Sequence, residues 1–220
     1  SFMPNQQQAH IHMATFTPDG GYVLATDFSA DRILRYEITG MEEIRYQGVA
    51  GTVEAGAGPR HIVFSPDSRF FYVISELSGS INVFSWSYGK SHKVQTVAAD
   101  KVGGHGSADI HISPDGRYLC ASNRLKNDGI AIFSINRQTG MLSPVGYQAT
   151  GLHPRNFAIT PNGNYLLCAC RDDNKIQVFR INKANGLLED THQDIAVDKA
   201  VCVKFYPIVM QPTPGCITMG

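Results

Sequence analysis

TPDGGYVLATD from Thr17, SPDSRFFYVIS from Ser65, SPDGRYLCASN from Ser113 and TPNGNYLLCAC from Thr160 are four copies of one phrase. Their prolines, Pro18, Pro66, Pro114 and Pro161, lie 48, 48 and 47 residues apart. A second column keeps step with the first: ILRYEI from Ile33, INVFSW from Ile81, IAIFSI from Ile130 and IQVFRI from Ile176. In each unit one apolar run leads into the turn and another leaves it. Pro-Asp-Gly, Pro-Asp-Ser or Pro-Asn-Gly between them supplies the turn chemistry. A third strand and a weaker fourth, such as VQTVAA from Val94, complete the unit. Four short strands per period is the sequence form of a propeller blade, whereas a β-sandwich needs no fixed period. The reading is all-β, one β-propeller domain over residues 1–220 with about four blades in this chain. A leftover strand is expected near Val201 to Phe205, and the tail from Tyr206 to Gly220 holds no further repeat.

Composition removes several function classes. Lysine plus arginine (19) balances aspartate plus glutamate (19), a poor electrostatic match for a nucleic-acid binder. A hydrophobic share of 43% with 17% charged residues argues against disorder. No apolar run is long enough for a membrane-spanning helix. The five cysteines, Cys120, Cys168, Cys170, Cys202 and Cys216, lack the spacing of a disulfide framework and read as buried small hydrophobes. Ser1 to His10 has neither a basic n-region nor an apolar h-region, so the expectation is a cytoplasmic protein.

Candidate site residues come from the repeat columns. Five positions before each turn lie His12, Arg60, Ala108 and Arg155, and four before lie Met13, His61, Asp109 and Asn156. Eleven positions after lie Phe28, Glu76, Arg124 and Arg171. Antiparallel geometry brings both strand ends to the edge opposite the turn, and a radial array brings these edges together near one axis. Arginine forks suit carboxylate and phosphate, so a cluster of His12, Arg60, Glu76, Arg124 and Arg155 points to an anionic ligand. The bland alternatives are a structural Arg60–Glu76 ion pair, a satisfied His12, and loop-ordering roles for Asp31 and Asp109. His10 and His12 form a His-x-His pair, but no third ligand stands out, and no metal is expected. His92 and His105 are expected to face solvent.

Several segments carry a resemblance: HIHM from His10, ATD from Ala25, GPRHIVFSPD from Gly58 and VISELS from Val73. SADIHISPDG from Ser107, ASNR from Ala121, HPRNFAI from His153 and VCVKF from Val201 complete the set. Over about residues 10 to 205 the chain resembles the seven-bladed β-propeller lactonase family, in its 6-phosphogluconolactonase and carboxymuconate-lactonizing-enzyme-like branches. Phe28 and Ser29 depart from it, standing where relatives carry a leucine-glycine pair. The resemblance implies a seven-bladed ring, which at this period needs about 340 residues. The chain is therefore expected to be the C-terminal part of a longer one, with the remaining N-terminal blades possible as a separate fragment.

By the same resemblance, His12, Arg60, Glu76 and Arg124 match the proposed active-site positions. The implied reaction is hydrolysis of a sugar lactone, 6-phosphogluconolactone, in the pentose phosphate pathway, without a cofactor. Arg60 and Arg124 would stabilise the oxyanion or the substrate's anionic group. His12 would be general base for water or acid for the leaving hydroxyl. Glu76 would orient Arg60 or His12, or itself be the base. Arg155, Asn156, His61 and Asp109 are expected at the substrate. The alternatives are a lactonizing cycloisomerase or another lactonase on this scaffold, and a non-catalytic propeller that binds a partner or carbohydrate acid on its rim.

Overall fold

The computed structural model describes residues 6, 8, 10–40 and 43–206. Each turn phrase closes on itself through its first and third side chains. Ser65 Oγ donates to Asp67 (2.7 Å) and accepts from the Phe70 amide (3.1 Å). Ser113 repeats this with Asp115 (2.6 Å) and Tyr118 (3.0 Å). Thr17 with Asp19 and Thr160 with Asn162 repeat it at the outer copies. The hydroxyl and the carboxylate or amide thus replace backbone partners that the turn cannot supply. Ser113→Ala is expected to cost about 1 kcal/mol, because the partly buried Tyr118 amide loses its acceptor; a thermal melt measures this.

The strands form four antiparallel meanders, each laid down in sequence order. The first holds β1 (Ile11–Phe16), β2 (Tyr22–Asp27), β3 (Arg32–Ile38) and β4 (Ile44–Thr52). The second holds β5 (Pro59–Phe64), β6 (Phe70–Ser75), β7 (Ser80–Ser87) and β8 (Lys90–Ala98). The third holds β9 (Ile110–Ile112), β10 (Tyr118–Asn123), β11 (Gly129–Ile135) and β12 (Leu142–Ala149). In the fourth, β13 (Pro154–Ile159), β14 (Tyr165–Cys170), β15 (Lys175–Ile181) and β16 (Leu188–Asp190) are joined by β17 (Ile195–Ala196), which pairs with β15. The strand expected near Val201 to Phe205 does not form. That segment runs without sheet pairing and is tied to the fourth sheet by the Val203 amide, which donates to Asn156 Oδ1 at 2.7 Å.

The sheets stack face to face with an apolar core in each gap. Leu24, Ile33, Ile62, Phe71, Phe84 and Trp86 fill the first gap. Phe71 stacks on Phe84 with centroids 4.8 Å apart, and Trp86 meets Phe71 edge-on. Tyr72, Ile74, Ile81, Leu119 and Phe133 fill the second gap, and Ile130, Phe157, Leu166, Cys168 and Phe179 the third. The first strands adjoin in series, β1 beside β5, β5 beside β9 and β9 beside β13. That series is the radial arrangement expected of blades around an axis. Cys120, Cys168 and Cys170 are buried as expected; Cys202, on the unpaired segment, is exposed, and Cys216 lies outside the described residues.

Among the described residues, no sheet covers the outward face of the first sheet. Phe16, Val23, Tyr36 and Tyr46 form one cross-strand row on it, with Ile38 and Ile44 as the next pair. Phe16 is 69%, Ile44 60% and Tyr46 54% exposed. At the other end Leu167 and Val178 pair on the outward face of the fourth sheet and are half-buried.

Candidate active site

A small irregularity repeated in the first strands builds the site. Ile11 pairs with Asp27, but the next partners are Met13 and Thr26, so His12 is an extra residue. Pro59–Ser75 followed by His61–Ile74 makes Arg60 the extra residue of the second sheet. Pro154–Cys170 followed by Asn156–Ala169 does the same for Arg155. In the third sheet Ala108 and Asp109 both face Ser122 through backbone hydrogen bonds. These are β-bulges, which re-aim a side chain that regular pleating would turn into an inter-sheet core. The column five residues before each turn is the bulge column, and for that reason its polar residues gather at one mouth.

Glu76 and Arg124 follow directly after the second strands of their sheets and reach the same place. Glu76 bridges two guanidinium groups: Arg60 Nε donates to Oε2 at 2.7 Å and Arg124 Nη2 to Oε1 at 3.1 Å. The Arg60–Glu76 pair weighed from sequence thus exists, but as half of a three-residue bridge between sheets. Arg60 is 2% and Arg124 4% exposed, so both positive groups are held in a low-dielectric wall. Burial, opposed by Glu76 and reinforced by Arg124 and Arg155, lowers the Arg60 pKa to about 10, which leaves it charged at neutral pH. Burial lowers Arg124 too. Arg60 Nη1 also donates to the Ala108 carbonyl, and Arg124 Nε to the Gly106 carbonyl at 2.8 Å. Arg155 is half-buried and makes no side-chain hydrogen bond or ion pair among the described residues. It still lies near enough to Arg60, Arg124 and His12 to depress the pKa of each.

His12 is exposed to solvent on one side, while its ring meets His61 edge-on with centroids 5.1 Å apart. Partial burial of the ring, with Arg60, Arg155 and Arg124 adding repulsion, lowers its pKa to about 3. His12 is therefore a neutral imidazole at working pH: it can accept a proton from water but holds none to give in the resting state. The unfolded chain binds a proton at His12 between about 3 and 6.5 that the folded chain refuses. This residue accordingly subtracts stability as pH falls through that window. In an NMR titration its ring resonances are expected to stay at their neutral positions from pH 8 to pH 5, and a midpoint near 6.5 would contradict the placement.

Asp109, expected at the substrate, is instead a buried hub. His61 Nδ1 lies 2.7 Å from its Oδ1 and His111 Nε2 lies 3.0 Å from its Oδ2. The Asn156 amide and the backbone N–H groups of Ile110 and Phe157 also donate to it. Burial alone would raise this carboxyl's pKa, but the hydrogen bonds from His111 and His61 outweigh it and hold the group well below the usual carboxylate range. With its oxygens engaged by protein donors, Asp109 ties the second, third and fourth sheets together. Asn156 is likewise engaged at both ends, by Asp109 and by the Val203 amide. Asp31 accepts from the Gly56 and Gly58 amides and orders its loop. His105 is exposed, yet its Nδ1 lies 2.6 Å from the Leu77 carbonyl.

His153 and His111 carry no weight in the sequence reading but belong to this cluster. His153 Nε2 lies 3.2 Å from Arg124 Nη1, and its backbone is left-handed, at φ 59°. For a side chain other than glycine that conformation costs about 1–2 kcal/mol. The signal was available: seven positions before their turns the second and third units carry Gly58 and Gly106, where the fourth carries His153.

The opposite edge offers a different surface. A cavity of about 320 Å³ lies there between turns, lined by Pro66, Phe70, Tyr72, Asp115 and Arg137. Its arginine is committed to the Asp115 carbonyl, and its carboxylates Asp67 and Asp115 are paired with Arg69 and Arg117.

The family model described as "Lactonase, 7-bladed beta-propeller" matches residues 2–205. The chain belongs to the seven-bladed β-propeller lactonase family. Among curated relatives in this lactonase family, the 6-phosphogluconolactonase of Formosa agariphila is 37% identical over 92% of this chain and 59% of its own length. That of Bacillus subtilis is 31% identical over 91% and 58%. A solved Bacteroides uniformis structure is 57% identical with a TM-score of 0.88, covering 90% of this chain and 58% of its own. The periplasmic gluconolactonase of Pseudomonas aeruginosa is 30% identical with a TM-score of 0.85, covering 90% and 57%. This lactonase-family chain thus spans less than three-fifths of the length of the curated relatives it matches.

Proposed function

We propose that this protein hydrolyses a sugar lactone, 6-phosphogluconolactone, to 6-phosphogluconate. The observation that carries the reading is the Glu76-bridged pair Arg60 and Arg124 at a mouth shared with the unpartnered Arg155 and the neutral His12. Three guanidinium groups face the two carboxylates Glu76 and Asp109, so the mouth retains excess positive charge for an anion. The names of the curated relatives support the same substrate.

Water attacking the lactone carbonyl places negative charge on oxygen, and preorganised donors in a low-dielectric wall stabilise it without reorganising. Arg60 and Arg124 are those donors. His12 accepts the proton that water sheds, and the same proton passes to the ring oxygen as the acyl–oxygen bond breaks. Glu76 keeps the two guanidinium planes fixed and apart. Arg155 takes the phosphate. The acyl carbon is already electrophilic, so these steps proceed on the chain's own groups.

A parallel assay on 6-phosphogluconolactone and the unphosphorylated gluconolactone tests the assignment. Arg155→Ala is expected to raise KM about tenfold or more for the phosphorylated substrate and to leave the other nearly unchanged, as loss of a charge-assisted contact implies. Equal losses on both would remove Arg155 from the phosphate. Equal turnover of both by the parent protein would favour a gluconolactonase, the name the Pseudomonas relative carries.

The exposed row Phe16, Tyr36, Tyr46 and Ile44 and the outward face of the fourth sheet support a further reading, that both ends pack against additional blades in the working ring. The seven-bladed description of the family and the partial span of the relatives agree with it.

A further inference from the structure

We infer that His61 and His153 are positioning residues whose Nε2 lone pairs aim the two guanidinium groups at the mouth; the inference deepens the lactonase reading and rests on it for the substrate. Arg60 Nη1 lies 3.2 Å from His61 Nε2, and Arg124 Nη1 lies 3.2 Å from His153 Nε2. A guanidinium only donates, so each Nε2 accepts and each Nδ1 carries the proton. On His61 that proton lands on Asp109 Oδ1 at 2.7 Å. His153 Nδ1 lies 3.5 Å from Asp172 Oδ2 and 3.4 Å from Arg171 Nη2; a ring with one proton accepts at one nitrogen only, and the shorter arginine contact, to Arg124, takes that nitrogen. Both arginines therefore lean on an imidazole nitrogen with a carboxylate behind the ring. Glu76 and a backbone carbonyl hold the other donors, which leaves Arg60 Nη2 without a partner among the described residues.

Two observations separate this from incidental packing. The pairing arises from unrelated repeat columns: His61 stands where the other units have Met13, Asp109 and Asn156, and His153 where they have His10, Gly58 and Gly106. Repeat symmetry therefore does not produce it. Moreover, His153 holds φ 59° in the column where Gly58 holds φ 66°. The chain keeps an imidazole where its backbone favours glycine, and such strain is retained where the side chain has work to do. The charged groups around His153 are Arg124, Arg171, Asp172 and Arg155; those around His61 are Arg60 and Asp109, with the His12 ring alongside.

His153→Gly separates aim from packing, because it relieves the left-handed backbone while deleting the acceptor. The expected result is a thermal midpoint at or above the parent's, with affinity for 6-phosphogluconate, read by calorimetry, lowered about tenfold. His61→Gln, whose amide both accepts and donates, is expected to keep more of that affinity than His61→Leu. A midpoint that falls in step with affinity would make His153 a packing residue and overturn the assignment. So would parent-like affinity in both His153→Gly and His61→Leu where Arg124→Ala has lost it. A parent protein that neither opens the lactone nor binds the product refutes the substrate and not the aiming. Crystal structures of the two histidine variants then decide: displaced Arg60 and Arg124 side chains support it, and unmoved ones overturn it.

Discussion

Arg124→Ala is expected to lower kcat/KM for lactone opening by about 10²–10³, the range for losing one preorganised donor to a developing oxyanion. Arg60→Ala is expected to fall in the same range, and the double variant to lose less than the product of the two. The reason is Glu76. Each guanidinium group occupies one of its carboxylate oxygens, so removing either arginine frees the carboxylate to swing onto the other and withdraw it from the substrate. Groups that act as one unit lose function together. Progress curves corrected for spontaneous hydrolysis give the numbers. Single variants that open the lactone at the parental rate would dismiss the bridge as the catalytic element.

Asp109→Asn is expected to cost about 3–5 kcal/mol, the range for breaking a buried charged network by removing one partner's charge. In a protein of this size that lowers the thermal midpoint by roughly 10 °C. The buried carboxylate accepts from two imidazoles, one amide side chain and two backbone N–H groups across three sheets. An amide accepts at one end only, and its other end would face donors. The pH dependence carries a sign. The folded-state pKa lies below the ordinary 3.8, so the stabilisation is present above that value and lost as pH falls through the lowered one. Asp109→Asn should accordingly flatten the acid limb of a stability-against-pH curve, besides lowering the whole curve. A variant as stable as the parent at pH 7 would mean that the hub carries no net weight.

The sequence showed the period of the turns, and with it the four meanders, because the Ser/Thr-Pro-Asp/Asn phrase spells out hydrogen bonds internal to the turn. It also placed Arg60, Glu76 and Arg124 at one edge, since strand length from the turn fixes which edge a column reaches. It did not reveal the bulges at His12, Arg60 and Arg155: an extra residue in a short strand leaves no mark on apolar alternation when both neighbours are apolar or half-buried. Asp109 read as a ligand contact because a carboxylate at the rim column looks like its arginine counterparts. Only the distances to His61, His111 and Asn156, which lie about 48 residues away or on the same strand, show that its oxygens are taken. Val201 to Phe205 reads as a strand by composition, yet β17 occupies the side of β15 open to it, and the segment follows Asn156 instead. His153 was overlooked because a lone histidine before a proline carries no pattern; the glycines in its column were the clue.

The most direct measurement is a crystal structure of the protein with bound 6-phosphogluconate, the stable product of the proposed reaction. The account expects the product's carboxylate within hydrogen-bond reach of Arg60 and Arg124, His12 beside it, and the phosphate on Arg155. Product seated away from this mouth, with the Glu76 bridge and Arg155 untouched, would contradict it.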